Sequence, residues 1–76
     1  MRISRHARNN MRLYKIGEGD ILEAIKSPDM SDKEGNKMIA IKKFQNKFSD
    51  YPLKVVYNED ENFIITVYPL KKKKWR

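Results

Sequence analysis

The chain has no cysteine, one histidine and one tryptophan among its 76 residues. Without cysteine there is neither a disulfide staple nor a thiolate metal site. One imidazole, His6, is too few for a dedicated transition-metal centre, so neither metal nor cofactor is expected. No apolar run approaches the roughly 20 residues that span a bilayer, so no membrane partner is expected. The opening MRISRHARNN carries charge with no apolar segment behind it, so no signal peptide is visible, and a cytoplasmic location is expected. Residues 1–76 make one domain with one core, and chains of this size bury only about 60–65% of their unfolded surface.

Positive charge is plentiful and segregated. Seventeen basic residues face ten acidic ones, for a net charge of +7 and a pI near 9.8. Residues 1–16 hold five basic side chains and no acid, whereas residues 17–36 hold six acids and two lysines. The chain turns basic again through Lys37–Lys54 and ends in Lys71, Lys72, Lys73, Lys74, Trp75 and Arg76. Basic segments around an acidic connector are the electrostatic footprint of polyanion binding. A lysine-rich solvated surface is the structural alternative.

Ser4 as N-cap and Gly17 as C′ residue predict a first helix over about residues 5–16. Ala7, Met11 and Tyr14 form its buried stripe, and Arg5, Arg8 and Arg12 a neighbouring face. A second helix over Gly19–Lys26 has Asp20 in its first turn, Ile21, Leu22 and Ile25 as its apolar face, and Ser27-Pro28 as its stop. The short link predicts an antiparallel helical hairpin.

From Met30 the periodicity becomes strand-like. Met30–Lys33 and Lys37–Gln45 flank the turn Glu34-Gly35-Asn36, and both sides of the second run are equally eligible for the core. The last two strands surround Asn58–Asn62. A turn centred on Asp60 pairs Tyr57 with Phe63, Val55 with Ile65 and Leu53 with Val67, all facing the core. Lys54, Val56, Ile64, Thr66 and Tyr68 then share the open face. The expected fold is α+β: two N-terminal helices packed on a four-stranded antiparallel sheet, with residues 70–76 a basic tail.

The candidate chemistry is cationic. Arginine grips phosphate bidentately and stacks on bases, which marks out Arg5, Arg8 and Arg12. His6 titrates near neutral pH and is a candidate acid or base, or simply a first-turn helix residue. Lys54 and Tyr68 share the open sheet face, and Tyr57 belongs with the packing. The lysines of the tail suit a phosphate backbone and Trp75 a base. Gly17-Glu18-Gly19-Asp20 lacks the preceding strand and the lysine of a phosphate loop, and reads as a helix break.

His6-Ala7-Arg8, Met11, Ile16, Asp20-Ile21 and Pro28-Asp29, with Leu53–Tyr57 and Ile65–Pro69, resemble a family of small prokaryotic domains. That family is grouped with the RelE/ParE-like and BrnT-like toxin superfamily. Asn10 stands where the family often has arginine, and Tyr14-Lys15 replaces its usual arginine-glycine pair. The resemblance implies a RelE-like fold, RNA or the ribosome as target, and an antitoxin protein as partner. It also implies metal-independent RNA cleavage, with Arg8, Arg12 and Lys54 stabilising charge and His6 or Tyr68 moving protons. The alternative is a non-catalytic interaction module that docks on a protein. A catalytic site requires the Arg8/Arg12 and Lys54/Tyr68 faces to converge.

Overall fold

The computed structural model describes residues 1–70. In chain order the elements are β1 (Arg2–Ile3), α1 (Arg5–Tyr14), α2 (Glu18–Lys26), β2 (Met30–Glu34), β3 (Lys37–Lys42), a 3-10 turn (Phe48–Asp50), β4 (Leu53–Asn58) and β5 (Phe63–Pro69). The fold is α+β with two helices, but the sheet has five strands in the order β1-β5-β4-β3-β2. The expected four-stranded antiparallel sheet is corrected by β1, which runs parallel to β5. Two residues are too short for alternation to reveal a strand. Arg2 N–H donates to Asn62 O and Ser4 N–H to Ile64 O, both at 3.0 Å.

Ser4 caps α1 as expected. Its Oγ accepts from Ala7 N–H at 2.9 Å and donates to Ile65 O at 2.6 Å, which ties the helix start to β5. The helix ends earlier than Gly17. Lys15 is left-handed (φ 58°), and Ile16 N–H donates back to Met11 O at 2.8 Å. That is the bonding of a Schellman ending, with a lysine where glycine is usual. Gly17 instead opens α2, its N–H donating to Asp20 Oδ2 at 3.0 Å.

Ala7, Ile21 and Ala24 press on Leu53, Val55, Ile64 and Val67, and with Ile16 and Phe44 these residues form the core. Each fully buried large aliphatic contributes about 1.5–3 kcal/mol. Ala40, in register with Val55, settles which side of β3 is inside, and its small side chain lets α2 approach. On α2 the buried face is Ile21 and Ala24, while Leu22 is exposed. The helices do not close as a hairpin: α1 packs on β5, and α2 on β3 and β4.

The last hairpin is shifted from the expected register. Val55 pairs with Val67 and Leu53 with Pro69, whereas beyond an irregularity at Val56/Tyr57 the pairs are Tyr57–Ile64 and Asn58–Phe63. The loop is therefore four residues, closed by Asn58 Oδ1 accepting Glu61 N–H at 3.1 Å and by left-handed Asn62. Ile65 is the extra residue of a β-bulge. A bulge resets the alternation, so Ile64 and Val67 both point inward. Ile64 is thus core and not open-face, while Phe63 and Ile65 are only half-buried. Tyr57 packs against the core as expected.

Candidate nucleic-acid interface

Spacings of three and four place Arg5, Arg8 and Arg12 along one side of α1, and the left-handed Lys15 follows at its end. All four are exposed. The first turn holds no acidic residue. Cations there oppose the helix dipole, each typically by about 0.3–1 kcal/mol. Among the described residues one ion pair exists, Lys47 Nζ to Asp20 Oδ1 at 2.8 Å, and none of these four cations has an ion-pair partner among them. Arg5 and Arg8 therefore oppose the dipole, whereas Arg12 in the last turn complements it, and the four together leave a cationic band facing solvent.

At the end of this band, Tyr14 and Lys15 meet Lys47 and Phe48 of the β3–β4 connection around an open concavity of about 350 Å³. Phe48 is left-handed (φ 56°), as are Asn46 and Asp50 beside it. A left-handed backbone costs an ordinary residue on the order of 1–2 kcal/mol. Phe48 is held by an edge-to-face contact with Phe44, centroids 5.5 Å apart. Sequence reasoning missed this corner. Lys15 continues the Arg5, Arg8, Arg12 spacing and was within reach. Lys47 and Phe48 lie in a segment with no periodicity, and no local signal marks them.

Lys47 is positioned by Asp20. Burial pushes the Asp20 carboxyl up, but the Lys47 hydrogen bond, the Gly17 N–H and the Lys47 charge outweigh it and hold it below the usual range. The same hydrogen bond and charge raise Lys47. Burial, with Glu59 nearby, raises Tyr57.

Among the described residues no helix covers the opposite sheet face. Across it run the rows Met30, Ile41, Lys54, Tyr68 and Asp32, Ile39, Val56, Thr66. Lys54 Nζ lies 5.7 Å from the Tyr68 ring centroid, and the Arg2 guanidinium 5.2 Å from that of Phe63. Met30, Asp32, Glu34, Ile39, Ile41 and Lys54 line a shallow cavity of about 220 Å³ there.

The five residues expected to share one catalytic site thus occupy three places. Lys54 and Tyr68 are direct neighbours on the open face. Arg8 and Arg12 lie on α1, across the sheet. His6 is exposed on the other flank of α1, roughly 120–160° around the helix from those arginines. Lys71, Lys72, Lys73, Lys74, Trp75 and Arg76 lie outside the described residues. Asn10 serves the fold, since its amide donates to Val67 O at 3.1 Å and binds α1 to β5. Among the described residues no group of three potential metal ligands forms. No helix in that range is long and apolar enough to cross a membrane.

The chain belongs to the family described as domain of unknown function DUF4258, which matches residues 3–69. No curated protein matches it. No solved structure matches it either.

Proposed function

We propose that this DUF4258 domain is an RNA-binding module that grips the phosphate backbone along α1. The observation that carries the reading is the side of α1 bearing Arg5, Arg8 and Arg12, with Lys15 at its end, all exposed and without an ion pair among the described residues. Guanidinium groups about one turn apart suit successive phosphates, and the helix dipole that opposes Arg5 and Arg8 leaves those two more favourable beside an anion than alone. We also propose a toxin-like place for the domain in the RelE/BrnT superfamily.

Binding, not cleavage, is the activity this geometry favours. Metal-free transesterification needs its base, its acid and its cations around one phosphate. Here the sheet stands between Lys54 with Tyr68 and Arg8 with Arg12. The second reading, docking on a protein, draws on the uncovered face with Met30, Ile39 and Ile41 around its cavity.

Filter binding of a short oligouridylate at about 50 and 200 mM salt tests the proposal, because affinity built on phosphates falls steeply with salt. Each removed cation lowers the log–log slope by about 0.7 for a single strand, so Arg8→Ala with Arg12→Ala lowers it by about 1.4. Absent or salt-independent binding overturns the proposal. In EDTA the RNA stays full length, and a cleavage product would restore the catalytic reading.

A further inference from the structure

The cationic band ends against two aromatic rings, and this juxtaposition narrows the ligand. Tyr14 and Phe48 both pack on the core and also line the concavity of about 350 Å³ beside Lys15 and Lys47. The rings are therefore anchored from behind. Lys47 shares its charge with Asp20, which leaves Lys15 as the corner's net cation. Lys15 and Phe48 are both left-handed, so two of the four described lining residues hold strained backbone. Strain of this kind persists where the surroundings impose it and clusters at binding sites.

We infer that this corner seats one unpaired base of a single-stranded RNA whose backbone follows α1. The inference rests on the RNA-binding reading and adds the substrate class. A nucleotide combines a flat aromatic body with an anionic flank, which suits a pocket of two rings and a lysine. Stacking on aromatics accepts any base, so single strands of varied sequence bind. A duplex keeps its bases in the stack and offers only phosphates to α1.

Fluorescence anisotropy with labelled oligouridylate and an RNA duplex carrying as many phosphates tests this at one salt concentration. The wild type binds the single strand at least fivefold more tightly. Phe48→Leu keeps an apolar side chain against Phe44. It weakens single-strand binding by about five- to a hundredfold and leaves the duplex unchanged. Lys15→Gly relieves the left-handed lysine, so it raises the melting temperature while lowering single-strand affinity, an opposition that a purely structural role would not produce. Equal wild-type affinity for the two RNAs overturns the base pocket and leaves the RNA reading standing. Salt-dependent single-strand binding unchanged by both substitutions does the same. Failure of both RNAs to bind overturns the inference together with the reading beneath it.

Discussion

Ser4 joins three parts of the chain through one hydroxyl, which caps α1 at Ala7 and satisfies the carbonyl of the bulge residue Ile65. Ser4→Ala removes the cap and orphans that carbonyl, so it costs about 2 kcal/mol by urea denaturation. A loss below about 0.5 kcal/mol would show that the bulge does not depend on Ser4. Asp20 makes a pH-dependent contribution. Its folded pKa lies below the ordinary 3.8, so its stabilisation is present above that value and disappears as pH falls through the folded pKa. Lys47 has the opposite sign: its contribution is present below 10.5 and is lost as pH rises through its higher folded pKa. Asp20→Asn keeps an acceptor for Gly17 but removes the charge. The variant is less stable than wild type at pH 6, and in thermal melts the two converge as pH falls below the folded pKa of Asp20. A gap that persists at pH 2 would place the effect in packing.

Among the elements, the β4–β5 hairpin distinguishes most sharply between alternation and observed register. Val55 and Val67 face each other at 0% exposure, while Ile65 sits half-buried at the bulge. Val67→Ala therefore costs about 2–3 kcal/mol, and Ile65→Ala less than half as much, although isoleucine is larger. Equal losses would restore the unbulged pairing. The hairpin's strands and their inward Leu53 and Val55 were readable from alternation. The bulge was not, because it depends on Ser4 and β1 arriving from the far end of the chain and on Asn58 shortening the turn. On α1 the same division holds. Its cap, buried stripe and arginine face are local patterns, whereas its early end at Lys15 reflects where Ile16 must turn to enter the core at 4% exposure.

Over the whole sequence the net charge is +7, of which the described residues, about 31 × 26 × 19 Å across, carry twelve basic and ten acidic side chains, or +2. Like charges this close repel, so moderate salt raises the melting temperature of the free domain while weakening its hold on RNA. Opposite responses in the two assays separate screening of self-repulsion from counterion release. A melting temperature that falls with salt would mean that attractive pairs dominate.

By itself the sequence determined the helix cap at Ser4, the strand periods, the charge segregation and the arginine stripe, because each follows from spacing within a few residues. Tertiary structure alone decided the parallel β1, the inward turn of Ile64, and the meeting of Tyr14 and Lys15 with Lys47 and Phe48. It also put Lys54 with Tyr68 on the face opposite Arg8 and Arg12. The physical reason is that alternation assigns a residue to one of two faces of its own strand. Which face lies under the helices is decided by the joint burial of Ala40, Val55 and Val67 from three strands.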